Sequence, residues 1–386
     1  MKIIYITLEN LSVHKGSVIH IKEIVAGLRK LGHQVGLIAC SWGRFEKADS
    51  FYNLHKFLGI KKQPYIISSI LLFIYLLKIL PKYDVIYARD YHTVIIALLP
   101  RVIFKKKLVF EINGLANEEQ KLKIDSIFNR MLSFFIQKAE KVATRYSDKI
   151  VSVTPQIVSY LIHHFHCKPD KVDVVNNGVN TKKFHPMDDK ASLADWRRRT
   201  GIGEENTIIT FVGNLARWQG VDILIESAFL LLSKGGKLKF LIIGDGPLKK
   251  DLMRKVLESG FKEDFIFTGM VDHEDIPSLI NIADIGVAPF ILKRNRKTGV
   301  SPLKVFEYMA CGKPVVASRI EGLEFVEAEG AGRLTEPGDV KNLGEALFDL
   351  LADSQKRINM GRKGLQIARE KFTWDSRAIN IEKILK

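Results

Sequence analysis

Short apolar runs alternate along this chain with longer stretches whose apolar positions recur at helical spacing, the pattern of βαβ units around a parallel sheet. In the first half the runs Lys2–Thr7, Gln34–Ala39, Asp84–Ala88, Lys107–Glu111, Lys149–Ser152 and Lys171–Val175 read as strands. Helical patterns fill the gaps, such as Val18–Leu31, closed by Gly32, and a long one from about Glu118 to Arg145. The polar stretch Thr181–Asn206, with Pro186 and the run Arg197-Arg198-Arg199, reads as a linker. The alternation then restarts, with strands at Thr207–Val212, Leu238–Ile243, Asp264–Thr268, Ile285–Ala288 and Pro314–Ala317. The fold class is therefore α/β, as two Rossmann-like doubly wound domains facing across a cleft. The expected division is residues 1–190 and 191–372, with a helix at 373–386 crossing back to the first domain. In such sheets ligands bind beyond the carboxyl ends of the strands, so loops that follow strands are where chemistry is expected.

The most lipid-like stretch, Tyr65–Leu77, is closed by Lys78. It falls short of the ~20 residues that span a bilayer. It reads either as a buried domain helix or as one lying on a membrane surface, helped by Lys61, Lys62, Lys78 and Lys82. MKIIYIT runs directly into Glu9 and reads as a first strand, not a secretory signal.

Composition changes this picture mainly through charge. The 386 residues carry a net charge of +16. Residues 1–190 hold 29 basic and 16 acidic side chains, and the remainder is nearly balanced. The basic half should attract anionic partners, whether lipid headgroups, phosphorylated acceptors or nucleic acid. Three cysteines lie far apart, which favours reduced thiols in a cytosolic protein and offers no zinc site.

The segment Arg296–Ser318 (RKTGVSPLKVFEYMACGKPVVAS) is the richest in chemistry. Ser301-Pro302 reads as an N-cap and first-turn pair, so a helix start there would present free N–H groups to an anion, with Lys304 adding a full charge. Glu307, one turn on, can accept from both hydroxyls of a ribose. The same pair also reads as an ordinary i,i+3 surface ion pair. Gly244-Asp245-Gly246-Pro247 is neither a dinucleotide fingerprint nor a phosphate loop; it reads as a strand-to-helix turn with Pro247 as first helical residue.

These residues resemble the nucleotide-sugar motif of glycosyltransferase family 4 (glycosyl transferases group 1), retaining enzymes of GT-B fold. Val172–Pro186 (VDVVNNGVNTKKFHP), Phe211–Ala228 (FVGNLARWQGVDILIESA), FLIIGDGPLKKDL, FTGMVDHEDIPSLINIADIGVAPF and the closing FTWDSRAINIEKIL are similar to the family's other segments, in the same order. The resemblance implies a nucleotide-diphosphate sugar donor, UDP- or GDP-linked, with no other cofactor and no metal. It places ribose on Glu307 and the diphosphate on Ser301, Pro302, Leu303 and Lys304, with Gly213, Asn214 and Arg217 nearby. The base would lie along Gly269, Met270 and Val271. Two departures stand out. The first glutamate of the family's E-x7-E pair falls on Gly299, so the donor sugar would meet backbone N–H groups of Gly299, Val300 and Ser301. The usual arginine and lysine that grip the diphosphate fall on Asn214 and Gln219, leaving Arg217 and Lys304 to substitute.

In the first domain the resemblance implies an acceptor side. Gly16, before the first helix, would allow close approach of a phosphate or sugar, or is a plain turn with Ser17 as cap. Glu111 or Asn113 would occupy the place where relatives put a sugar-contacting histidine, and Asp90 lies on another polar loop; these three are the catalytic candidates. His20 reads either as a satisfied histidine or as a catalytic one. The expected function is retaining transfer of a hexose-type sugar to a glycan or lipid-diphosphate acceptor in cell-surface polysaccharide or glycoconjugate synthesis. The expected location is cytoplasmic, or peripheral at an anionic inner membrane face. An epimerase or hydrolase on the same scaffold is the alternative; a nucleic-acid binder is disfavoured, since no basic helix with interleaved aromatics appears.

Overall fold

A computed structural model describes residues 1–13, 15–41, 51–54, 65–121 and 126–386. The chain divides into two compact units, Met1–Asn177 with Trp374–Lys386, and Gly178–Thr373. The division thus falls after Asn177, inside the asparagine-glycine segment, not at 190.

The first unit carries strands β1 (Lys2–Asn10), β2 (Gln34–Cys40), β3 (Phe51–Asn53), β4 (Val85–Arg89), β5 (Lys107–Ile112), β6 (Lys149–Ser152) and β7 (Val172–Val174). They form one parallel sheet in the order β3-β2-β1-β4-β5-β6-β7. Ile3–Leu8 of β1 is buried without interruption, as befits a central strand covered on both faces. Its helices are α1 (Gly16–Lys30), α2 (Tyr65–Ile79), α3 (Tyr91–Ile103), α4 (Ala116–Lys121), α5 (Ile127–Tyr146) and α6 (Pro155–Phe165). Two of them start where the sequence supplies caps: Ser126 Oγ accepts from Asn129 N, and Thr154 precedes Pro155. The long pattern expected from Glu118 to Arg145 is two helices; its residues 122–125, like Lys61 and Lys62, lie outside the described residues. The stretch Tyr65–Lys82 has the length and composition to cross a bilayer. Leu71, Leu72, Leu76 and Ile79 nevertheless sit in the domain core. One face of α2 is therefore a core helix, and Tyr65, Ile66, Ile70 and Ile74 on the other remain exposed.

The second unit carries α7 (Lys190–Thr200), β8 (Thr207–Val212), α8 (Val221–Leu232), β9 (Leu238–Ile243), α9 (Lys249–Glu258), β10 (Phe265–Gly269), α10 (Ile276–Asn281), β11 (Ile285–Ala288), α11 (Leu292–Thr298), α12 (Leu303–Ala310), β12 (Val315–Ser318), α13 (Phe325–Ala328), β13 (Gly332–Thr335), α14 (Val340–Ala352) and α15 (Ser354–Lys371). Its sheet is parallel, in the order β10-β9-β8-β11-β12-β13. The order reverses between β8 and β11, the switch point at which such sheets open a crevice. The expected linker Thr181–Asn206 is instead part of this unit and contains α7, capped by Asp189 Oδ1 on Ser192 N. Helix α9 begins at Lys249, two residues beyond Pro247.

The chain then returns to the first unit as α16 (Trp374–Leu385), which lies on α1. The fit is close: a Cβ added at Gly27 would stand 2.7 Å from Ala378 Cβ. Lys107 Nζ caps the end of α16 by donating to Ile384 O and Leu385 O at 3.1 and 2.9 Å. The three cysteines, Cys40, Cys167 and Cys311, are free and buried.

Candidate active site

In the second unit, Tyr308 seats α12 at the switch point. Its hydroxyl accepts from Val212 N at 2.8 Å and donates to Val287 O at 3.4 Å, tying the helix to the ends of β8 and β11. Helix α12 starts at Leu303 with Pro302 at the N-cap, and no side chain caps it. Ser301 is therefore one position outside the cap it was expected to form; Val305 N donates to Pro302 O at 3.2 Å, and no side chain caps the N–H groups of Leu303 and Lys304.

Lys304 and Glu307 are both buried, at 8% and 6% exposure. They are no surface ion pair: the Lys304 ammonium donates to Gln219 Oε1 at 2.7 Å and stands 3.7 Å from the Phe211 ring centroid and 5.3 Å from that of Phe290. Burial holds its pKa well below the usual lysine value, and Glu307 only partly opposes this. Among the described residues this desolvated cation has no ion-pair partner, which leaves it able to receive an anion. Gln219, at the position where a charge was expected, is the residue that aims this cation.

Backbone geometry keeps the ground around it clear. Gly213 has φ +143°, and a Cβ there would lie 2.9 Å from Lys304 Nζ. Gly244, at φ +133°, abuts Gly213 so closely that a Cβ would stand 2.0 Å from its carbonyl oxygen. Gly244 N in turn donates to Gly269 O at 2.9 Å, so Gly213, Gly244 and Gly269 form one glycine floor across the ends of β8, β9 and β10. Asp245 serves that turn: Oδ1 accepts from Gly246 N and Oδ2 from Lys249 Nζ. Asn214 and Arg217 are exposed, and among the described residues the Arg217 side chain has no ion-pair partner. Met270 is exposed and Val271 packs on the core.

The loop that follows Gly269 also delivers a residue that sequence reasoning missed. His273 Nε2 stands 3.7 Å from Glu307 Oε1, and its Nδ1 accepts from Lys183 Nζ at 2.7 Å. The only signal in the sequence was a histidine in a strand-end loop beside Glu274, to which Lys183 also donates. On the other flank, Gly299 ends α11 at φ +64°, ψ −171°, a conformation open essentially to glycine alone. The departure at this position is thus written into the loop's backbone. Val300 is buried and Ser301 half-buried.

In the first unit the strand ends gather a second polar group. Glu111, one of the catalytic candidates, is wholly buried, with side-chain partners on both carboxylate oxygens. Oε1 lies 3.0 Å from His20 Nε2, 3.0 Å from Arg89 Nη1 and 2.5 Å from Asn113 Nδ2, while Oε2 accepts from Tyr5 at 3.2 Å. Burial would raise its pKa, but His20, Arg89 and Asn113 outweigh that and hold it at about 2. Glu111 thus ties Tyr5, Arg89 and Asn113 together at the strand ends. It brings in His20, whose Nδ1 is 2.7 Å from Asn177 Oδ1 and whose ring meets Trp374 edge-on.

Asp90 caps α3 by accepting from His92 N and Thr93 N at 2.9 and 3.2 Å. Its backbone sits at φ 68°, ψ 161°, strained for a residue with a Cβ, and is held by its N–H donating to Glu111 O at 3.0 Å. The side chain keeps a third of its surface exposed, yet burial pushes the carboxyl up to about 7. Asn113 is half-buried beside Glu111. Gly16 is the first residue of α1, whose N-cap is Lys15, not Ser17.

Residues 193–366 match the family described as glycosyl transferases group 1, and residues 14–183 match glycosyltransferase family 4. An uncharacterized glycosyltransferase of Methanocaldococcus jannaschii is 25% identical over 388 residues, covering 96% of this chain and 94% of its own length. Among solved structures, sucrose-phosphate synthase from Thermosynechococcus elongatus superposes with a TM-score of 0.78 at 20% identity, over 99% of this chain and 98% of that one. Anabaena HepE, solved in complex with UDP-glucose, gives 0.76 at 19% identity, over 100% and 99%. With both halves matched and the two parallel sheets in place, the chain belongs to glycosyltransferase family 4, the glycosyl transferases group 1, as a GT-B enzyme that uses a nucleotide sugar.

Proposed function

We propose that this protein is a retaining hexosyltransferase, working without a metal, that moves a sugar from a UDP- or GDP-linked donor to a lipid-linked or other glycan acceptor at the inner face of a membrane. The observation that carries the donor half is the buried Lys304 ammonium, which has Gln219 and two aromatic faces for company and no ion-pair partner among the described residues. The diphosphate would take that place, with first-turn N–H groups of α12 on its other oxygens and Arg217 reaching in from solvent. Glu307 would accept the ribose hydroxyls, with His273 Nε2 standing 3.7 Å from its Oε1. The base would lie along Gly269–Val271.

As the glycosidic bond to the diphosphate breaks, negative charge grows on the leaving oxygen. Lys304 and the helix N-terminus oppose it with charges already in place, so little reorganisation is needed. The acceptor hydroxyl attacks from the face the diphosphate leaves, and its proton needs a base. Asp90 on the first unit, whose carboxyl burial pushes up to about 7, is suited to that task.

Calorimetric titration with UDP and GDP, on the wild type and on Lys304→Met and Glu307→Gln, tests the donor site. Selective binding of one nucleotide, lost in both variants, is expected; unchanged binding in both would overturn the assignment. Transfer that survives a chelator supports the metal-free reading. Nucleotide release at full rate with no acceptor, and no glycoside product, would point to a hydrolase.

A further inference from the structure

Helix α5 is inside out. Its buried positions are Ser133, Glu140, Ala143 and Thr144, while Ile127, Phe128, Met131, Phe134 and Phe135 are between 53% and 80% exposed. Residues 127, 131, 134, 135, 138 and 142 recur at helical spacing and make one outward stripe of Ile, Met, Phe, Phe, Lys and Val. Helix α3, packed against α5, turns Leu99, Val102 and Ile103 outward, and α2, packed against α3, adds Tyr65, Ile66 and Ile70. Of the 27 exposed large apolar side chains among the described residues, 16 belong to these three helices. So much exposed apolar surface on one side of a domain marks a contact with something apolar.

Charge identifies the contact. The three helices contain a single carboxylate, Glu140, and it is buried, accepting from Ala116 N at 2.7 Å. Lys78, Arg101, Arg130, Lys138, Lys141 and Arg145 lie on the same helices. At the end of α3 an open cavity of about 520 Å³ is lined by Arg101, Val102, Lys105, Lys106, Lys107 and Asp148. Two of its cations are engaged: Lys107 by α16, and Arg101 by Tyr146 O and Asp148 Oδ1 at 2.5 and 3.0 Å. Lys105 and Lys106 have no ion-pair partner among the described residues, and they stand beside exposed Val102 and Ile103. An apolar face bordered by cations, whose three helices carry no exposed carboxylate, fits an interface whose interior is hydrocarbon and whose rim is anionic.

We propose that the α2–α3–α5 face docks on an anionic lipid bilayer, with the α5 phenylalanines below the headgroups and the Arg101–Lys106 cavity receiving a lipid phosphate. In a parallel α/β sheet the helices run against the strands, so the amino ends of α2 and α5, where exposure is greatest, lie toward the strand ends that carry Asp90 and Asn113. Docking would set the acceptor-side loops at the headgroup layer. This rests on the lipid-linked acceptor of the proposed function and narrows the acceptor to one presented from the bilayer.

The test is co-sedimentation of the full chain with vesicles of phosphatidylcholine alone or mixed with phosphatidylglycerol, in the absence of donor and acceptor. Binding should be strong only to the mixed vesicles and weaken as salt is raised. Phe128→Gln with Phe135→Gln should abolish it. Lys105→Ala with Lys106→Ala should weaken it about thirty-fold. Both double variants should keep the wild-type melting temperature and nucleotide affinity. Wild-type vesicle binding in both variants would overturn the proposal. So would a dimer that the phenylalanine variant converts to monomer while wild type ignores vesicles, since the face would then be covered by a second copy. Nucleotide affinity reports the donor site separately, so loss of docking with donor binding intact counts against the membrane inference alone.

Discussion

Lys304 and Glu307 stand one turn apart on α12, both buried, and form no ion pair with each other: the Lys304 ammonium donates to Gln219, and Glu307 faces His273. Each therefore has a valence to offer to a ligand that carries phosphate at one end and a diol at the other. Charge-assisted hydrogen bonds of this kind contribute about 1.5–3 kcal/mol each. Lys304→Met and Glu307→Gln should each weaken nucleotide diphosphate binding by roughly 10- to 150-fold. Uridine or guanosine without phosphates should lose its sensitivity to Lys304→Met and keep that to Glu307→Gln, as read by competition binding.

Nucleotide affinity should also depend on pH in a way that reports the Lys304 environment. Its free-state pKa is depressed by burial, so the ammonium is lost at lower pH than an exposed lysine would lose it. The diphosphate binds the charged form, so binding takes up a proton above that pKa and affinity falls as pH rises through it, before the ordinary lysine value of about 10.4 is reached. Calorimetry in buffers of different ionisation enthalpy should reveal the proton uptake, and Lys304→Met should abolish it.

Asp90 gives a second pH signature. A base must be ionised to act, so transfer at saturating donor should rise with pH through about 7 and level off above it. Asp90→Asn retains an acceptor for the α3 cap and should flatten this limb while leaving nucleotide affinity unchanged. An unaltered pH–rate profile in that variant would remove Asp90 from the reaction.

The Glu111 cluster predicts acid behaviour of stability. Its carboxyl sits at about 2 in the folded protein against an ordinary 4.3, so its contribution is present above the unfolded value and is lost as pH falls from there toward about 2. Glu111→Gln leaves Arg89 and His20 without their anion and should cost about 3 kcal/mol at neutral pH. The gap between wild type and variant in chemical denaturation should close as pH approaches the lower limit.

Restoring an acidic residue at the loop before α12 should fail. Gly299→Glu places a Cβ at φ +64°, ψ −171°, costing about 1–3 kcal/mol and displacing the loop that leads to Ser301. Gly244→Ala should be worse, because the added carbon meets the Gly213 carbonyl at 2.0 Å and lifts the floor beneath Lys304. Thermal melts and nucleotide binding on the two variants check both.

The long, apolar central strands were legible from the chain because strands buried on both faces are continuous runs. Strand β3 escaped notice as three half-buried residues at a sheet edge, and β13 because Gly332 and Arg333 interrupt its apolar character. Helix α7 read as a linker since none of its residues is buried and periodicity had nothing to display. Lys304 and Glu307 could be found because they share one helix start. Their partners could not: Gln219 is 85 positions away, and His20 meets Glu111 across the sheet. For α5 the spacing shows an apolar stripe, but spacing carries no information on which stripe faces the core. Only the packed helix, with Ser133 and Thr144 inside, settles that.

Helix α16 gives the protein a history as well as a shape. The first unit is finished by residues that follow the entire second unit, with 196 residues between Asn177 and Trp374. At ribosomal speeds of about 5–20 residues per second, the sheet of β1 to β7 waits roughly 10–40 s for its last helix. During that interval the face of α1 at Gly27, shaped to admit Ala378, has nothing upon it. The amino-terminal unit is thus made early but completed late. A nascent chain halted within the second unit should be cut by protease in the first, where the released protein resists.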